Sequence, residues 1–164
     1  MAHPYDILAV PGSAGRLIFT PCPGSKDTSL DEALATLQAA GAEALITLMP
    51  AEELASQEAT QLPELCAARN IEWFYLPVAD EQVPLADFDQ AWEQSSSRIN
   101  ELLDTGKSVA IHCKGGSGRT GLIAARFLVD RNVPRETAIA SVQALRPKAI
   151  QHPAHAGWID RFGD

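Results

Sequence analysis

The chain has 164 residues, is 46% hydrophobic and carries a formal net charge of −8. Its length suits one domain built on one sizeable core. The acidic balance argues against nucleic acid or an anionic membrane as the main partner, since both require a basic face, and no apolar run reaches membrane-spanning length.

Asp6–Val10 and Arg16–Thr20 read as two short strands, joined by the turn-forming Pro11-Gly12-Ser13-Ala14-Gly15. Thr20-Pro21-Cys22-Pro23-Gly24 is a stiff loop. Ser29-Leu30-Asp31-Glu32 has capping-box form, with Ser29 as N-cap and Glu32 at N3. The helix it opens carries Leu30, Ala33, Leu34 and Leu37 at helical spacing and stops at Gly41. Ala44–Met49 is a buried strand. Helical segments follow from Pro50 and again before Ile71, and Glu72–Leu76 is the next strand. In the loop Pro77–Pro84, two prolines bracket Asp80 and Glu81. Phe88, Ala91, Trp92, Ser95, Ile99, Leu102 and Leu103 then mark one face of a long helix ending at Gly106.

Lys107–His112 forms a strand. A helix runs from after Arg119 to about Arg131, with Asn132 as its C-cap, and Pro134 at N1 starts another with Ile139, Val142 and Leu145 on its face. Leu145–Gln151 is a basic loop, and Pro153–Phe162 a final helix that docks through Trp158, Ile159 and Phe162. Strands alternate with helices, and the strands are continuous apolar runs. This predicts an α/β fold, a central and mainly parallel twisted sheet with helices on both faces, in a single domain spanning 1–164. No repeat, low-complexity segment or linker interrupts it.

Function concentrates in Val109–Gly121. A β-branched strand breaks at Cys113; Gly115, Gly116 and Gly118 follow, then Arg119 and the helical Leu122-Ile123-Ala124-Ala125. A Gly-rich loop opening onto a helix aims backbone N–H groups at one point, where the helix end adds partial positive charge. Such a concavity suits an anion. Cysteine attacks as a thiolate, a form that helix N-termini and nearby cations favour. With five residues between it and Cys113, Arg119 offers a guanidinium fork that pairs with two phosphoryl oxygens. Positioning and charge stabilisation are most of what phosphoryl transfer requires, so the loop calls for no metal and no cofactor. The three cysteines, Cys22, Cys66 and Cys113, fit neither a disulfide framework nor a zinc pattern. Together with an opening, Met1–Asp6, that lacks a basic or apolar leader segment, they suggest a reducing cytoplasm.

The run His112-Cys113-Lys114-Gly115-Gly116-Ser117-Gly118-Arg119-Thr120-Gly121 resembles the signature of the cysteine-dependent protein tyrosine phosphatase superfamily. The chain's short length resembles the dual-specificity branch. Cys22-Pro23-Gly24, Pro77-Val78-Ala79-Asp80 and Ala149-Ile150-Gln151 are similar to the cyclin-dependent-kinase-associated phosphatase subgroup. The resemblance implies that Cys113 attacks phosphorus to form a phosphocysteine, that Arg119 clamps the phosphoryl oxygens, and that the Thr120 hydroxyl stabilises the departing thiolate. Lys114, Gly115, Gly116, Ser117 and Gly118 would complete the cradle. It implies a loop aspartate upstream as general acid, which selects Asp80, with Glu81 and then Asp87 as competitors. His112 would tune the thiolate, and Gln151 would help place the hydrolytic water. Some relatives shield the nucleophile with a second cysteine, which leaves a redox role for Cys22 or Cys66 open beside a plain packing role.

Lys114, Arg146 and Lys148 could form a basic rim, whereas Trp73 and Trp92 read as core. The first functional expectation is therefore a metal-independent phosphatase acting on protein phosphotyrosine, with phosphoserine and phosphothreonine open. A second is a phosphatase of small phosphorylated molecules such as inositol phosphates or phosphoinositides. Against it, Ser117 stands where phosphoinositide phosphatases of the superfamily have a second loop lysine. A third is a phosphate-reading module that has lost catalysis, whose sign would be a missing cysteine, arginine or acid. The expected partner is the phosphorylated protein or small phosphoester itself, with no nucleic acid or membrane, and the expected state is a monomer.

Overall fold

The computed structural model describes residues 3–25 and 28–163; Met1 and Ala2 of the opening stretch lie outside the described residues. Strands β1 (Asp6–Ala9), β2 (Arg16–Thr20), β3 (Ala42–Thr47), β4 (Glu72–Tyr75) and β5 (Ser108–His112) form one sheet in the order β1-β2-β5-β3-β4. β1 pairs antiparallel with β2, and the remaining pairings are parallel. The helices are α1 (Leu30–Ala39), α2 (Ala51–Ser56), α3 (Leu62–Ala68), α4 (Ala86–Asp104), α5 (Gly118–Asp130), α6 (Arg135–Leu145) and α7 (Pro153–Ile159).

Strand side chains alternate between faces, and the central strands carry apolar residues on both faces. Leu17, Phe19, Ala44, Ile46, Val109 and Ile111 join one core layer with Phe88, Ile99 and Leu102 of α4 and Ile123 and Phe127 of α5. Ile18, Leu45 and Ala110 join the other with Leu34 and Leu37 of α1 and Leu62 and Cys66 of α3. Both faces of the sheet are thus covered, as the unbroken apolar runs require. β5 lies between β2 and β3, parallel to both, so its carboxyl end opens in the middle of the sheet. This is the crevice where open α/β sheets bind ligands.

Local chemistry sets the boundaries. The Glu32 N–H donates to Ser29 Oγ at 3.1 Å, and the Ser29 hydroxyl donates back to the Glu32 carboxylate at 3.1 Å. α5 begins at Gly118, ahead of the expected start, which puts Arg119 and Thr120 inside its first turn. Arg131 caps it, and Asn132 takes the left-handed position just beyond (φ 71°). Pro134 is the N-cap of α6 rather than its first helical residue. α7 ends at Ile159, short of Phe162. The segment after it is nonetheless held, because the Arg126 guanidinium lies 3.7 Å from the Phe162 ring centroid and 4.5 Å from that of Trp92. Among the described residues, no helix is long and apolar enough to cross a membrane.

Candidate active site

Cys113 directly follows β5, and the loop after it returns against the β2 end. Gly116 has φ 76°, and a Cβ there would lie 2.6 Å from the Thr20 carbonyl carbon and 2.7 Å from the Pro21 nitrogen. Only glycine fits so close an approach. Two outward bonds then orient the loop. The Lys114 carbonyl accepts from the Cys22 N–H at 3.1 Å, and the Gly116 carbonyl accepts from Arg146 Nε at 3.0 Å. In a trans peptide the C=O and the following N–H point opposite ways. These bonds therefore turn the Gly115 and Ser117 N–H groups away from Cys22 and Arg146. Gly115 and Ser117 line a cavity of about 380 Å³ together with Cys113, Lys114, Gly118, Arg119, Asp80, Ser25 and Gln57. The first turn of α5, whose N–H groups have no intrahelical partners, lies at the same cavity.

The side chains converge on that cavity. Cys113 is buried, and the Thr120 hydroxyl donates to its Sγ at 3.2 Å. Arg119, with its side chain only 2% exposed, is gripped by Glu53 of α2: Nη1 donates to Oε1 at 2.8 Å and Nη2 to Oε2 at 2.6 Å. Nη1 also donates to the Val78 carbonyl at 2.9 Å, and Nη2 lies 3.3 Å from Asp80 Oδ1. Burial works against the guanidinium charge, but the Glu53 bonds and the charges of Cys113 and Asp80 outweigh it and hold the proton more tightly than in a free arginine. Glu53 is the residue that sequence reasoning missed. It stands in a short helix beside Glu52, and nothing in that pattern separates a solvated carboxylate from one that turns inward.

His112 is fully enclosed, and burial lowers its pKa to about 4, with the Cys113 carbonyl bond opposing and Arg119 adding to the shift. It is therefore neutral near pH 7. Trp73 Nε1 donates to Thr47 Oγ1 at 2.8 Å, and that hydroxyl lies 2.7 Å from His112 Nε2. The arrangement is satisfied if Thr47 donates to Nε2, leaving the proton on Nδ1, which faces the Cys113 carbonyl at 3.3 Å. Trp73 thus meets a polar partner as well as the core, whereas Trp92 is a buried core residue.

The remaining expected residues separate clearly. Asp80 reaches the main cavity, while Glu81 points to a neighbouring one, and the Asp87 carboxylate accepts from the Phe88 N–H at the start of α4. Lys114 is exposed at the rim. Arg146 is not a free rim cation: besides the Gly116 carbonyl it binds Asp6 at 2.7 Å, so it buttresses the loop from outside. Lys148 lines the neighbouring cavity. Gln151 is exposed, donates to the Pro147 carbonyl at 3.2 Å, and does not line the main cavity. Cys22 and Cys66 are buried free thiols, and burial pushes the pKa of each up to about 12. Among the described residues, no group of three or more His, Cys, Asp or Glu could hold a metal ion.

The chain is 26% identical over 99 residues to the phosphatidylglycerophosphate phosphatase PTPMT2 of Arabidopsis thaliana, a match covering 60% of this chain but 42% of that protein. The chain thus spans well under half the length of the curated relative it matches. Its fold is similar to that of a kinase associated phosphatase (KAP) solved with its catalytic-site cysteine changed to serine, with a TM-score of 0.85 and 22% identity over 97% of this chain and 93% of that one. It is also similar to Tk-PTP in the active form, with a TM-score of 0.69 and 23% identity over 94% of each chain. The family model described as "Polymorphic toxin system, DSP-PTPase phosphatase" matches residues 23–132, more than half of the chain. The chain belongs to this family of DSP-PTPase phosphatases, among the dual-specificity cysteine phosphatases.

Proposed function

We propose that the protein hydrolyses phosphate monoesters on protein phosphotyrosine through a phosphocysteine intermediate. The observation that carries this reading is the convergence of Cys113, Arg119 and Asp80 on one cavity, with the Thr120 hydroxyl bonded to the Cys113 sulfur behind it. The phosphoryl group sits in the cradle from Lys114 to Gly118, its oxygens bound by the loop N–H groups and by Arg119 in place of the Asp80 contact. Cys113 sulfur attacks phosphorus; the S–P bond forms as the P–O ester bond breaks, and the leaving oxygen takes the proton of the Asp80 carboxylic acid. Such proton transfer contributes roughly 10²–10⁴-fold. Asp80, now a carboxylate, next removes a proton from the water that attacks phosphorus. The S–P bond breaks, its electron pair returns to sulfur, and the Thr120 hydroxyl stabilises the thiolate. His112 stays neutral and fixes the Cys113 carbonyl. In this reading Gln151 is left a minor role, because it is exposed and bonded to the loop before it.

A polypeptide substrate is supported by a second cleft of about 380 Å³ that shares Gln57 with the first and is lined by Pro23, Gly24, Ser29, Asp31, Glu58 and Gln61. Amides and hydroxyls there suit a peptide backbone, and the Asp31 carboxylate is occupied by Arg69, at 2.9 Å to each oxygen. The likeness to PTPMT2, named a phosphatidylglycerophosphate phosphatase, supports a second reading, a phosphorylated lipid or small phosphoester.

Phosphate release from a panel of phosphotyrosine, phosphoserine and phosphothreonine peptides, inositol phosphates and phosphoinositides separates these readings. The expected result is fastest release from phosphotyrosine peptides and none from Cys113→Ser. Turnover confined to non-protein esters would overturn the substrate assignment, and turnover retained in Cys113→Ser would overturn the mechanism. On phenyl phosphate, Asp80→Asn is expected to lower kcat by about 100-fold, while Glu81→Gln changes it little; the reverse order would transfer the acid role to Glu81. Glu53→Gln leaves a buried guanidinium without its charged partner. We expect a stability loss of about 3 kcal/mol and a kcat reduced about tenfold or more by loss of guanidinium orientation. Thermal melting and steady-state kinetics that match the parent protein would contradict that role.

A further inference from the structure

Asp80 has a placement problem. Its side chain is 65% exposed, so packing does not hold it, and the turn that carries it is conformationally costly. The Gln82 N–H donates to the Ala79 carbonyl at 3.0 Å, closing a four-residue turn with Asp80 and Glu81 at its centre. Glu81 has φ 62°, in the left-handed region that suits glycine or asparagine at this turn position and not glutamate. Such a backbone persists when its surroundings over-determine it.

Before Asp80 the anchors are backbone and arginine: the Val78 N–H donates to the Leu48 carbonyl at 2.7 Å, and Arg119 holds the Val78 carbonyl. After Asp80, Pro84 is buried, and one side chain reaches into the turn from a distant element. His155, 5% exposed in α7, places Nε2 2.8 Å from the Gln82 carbonyl. A carbonyl only accepts, so the imidazole donates from Nε2–H. The start of α7 is itself fixed, since the His152 side chain accepts from the Ala154 N–H at 3.1 Å with Pro153 at the first helical position. His155 therefore grips the far end of the Asp80 turn from a rigid support, beside the cavity it lines with Asp80, Gly118 and Arg119.

We propose that His155 is a positioning residue that holds the Asp80 turn over the cavity and so sets the efficiency of leaving-group protonation. The inference rests on the phosphatase reading and adds to it a residue outside the signature loop. A positioning role of this kind has a specific kinetic mark. Esters with good leaving groups need little help from the acid, and esters with poor leaving groups need much.

The test compares phenyl phosphate with a fluorinated umbelliferyl phosphate for the wild type, His155→Leu and His155→Gln, and measures alkylation of Cys113 by iodoacetate in each. For His155→Leu we expect kcat/KM, which reports the steps up to leaving-group departure and not the shared hydrolysis of the phosphocysteine, to fall about tenfold on phenyl phosphate and less than about twofold on the activated ester, with alkylation unchanged. His155→Gln, whose amide can donate at similar reach, is expected to regain most of the loss. An equal fall in kcat/KM on both esters, a parallel fall in alkylation, or no fall in kcat/KM on either would overturn the role of His155 while leaving the phosphatase reading in place. Absence of turnover by the wild type would instead overturn the phosphatase reading, and this inference with it.

Discussion

The pairing of Arg119 with Glu53 is the constraint on which the site depends. A guanidinium that is almost wholly enclosed is tolerable only with a charged and well-directed partner. The carboxylate of α2 supplies both, at 2.6 and 2.8 Å. With those bonds made, the remaining reach of Arg119 extends to the Val78 carbonyl and to Asp80. One side chain thus joins α2, the loop after β4 and the first turn of α5. The arginine that the sequence presents as a phosphate clamp is also the rivet that brings the Asp80 loop to Cys113.

The fold prepares this arrangement through two-sided burial. β5 is apolar on both faces and sits between two parallel neighbours, so its end can open only at the middle of the sheet edge. From there the chain must turn back immediately. The close approach of Gly116 to Thr20 and Pro21, and the carbonyl bonds to Cys22 and Arg146, give the turn its shape. In the proposed function an acidic protein holds an anion in this way, because the attraction comes from oriented N–H groups and one guanidinium rather than from net charge.

Much of this was legible in the sequence, for physical reasons. Unbroken apolar strands alternating with helices mean a covered parallel sheet, and the spacing of Cys113, the glycines and Arg119 describes an anion loop. Asp80 was legible only through the family resemblance, since a loop Asp-Glu pair is by itself ordinary solvated charge. What escaped were contacts between segments remote in sequence. Glu53 meets Arg119 across 66 positions, and His155 meets Gln82 across 73. Arg146 sits in a basic loop, yet its bond to Asp6 spans 140 positions and turns it from rim charge into buttress. Each depends on how one element lies against another, which local pattern does not encode.

The central claim is that catalysis passes through a covalent bond between phosphorus and the Cys113 sulfur. Its most direct test is acid quenching of the protein during turnover of an aryl phosphate, followed by mass spectrometry of the peptide containing Cys113. The account predicts a phosphoryl adduct on Cys113 that accumulates during turnover and is absent from the protein without substrate. Steady phosphate release with unmodified Cys113, or with the phosphoryl group on another residue, would contradict it.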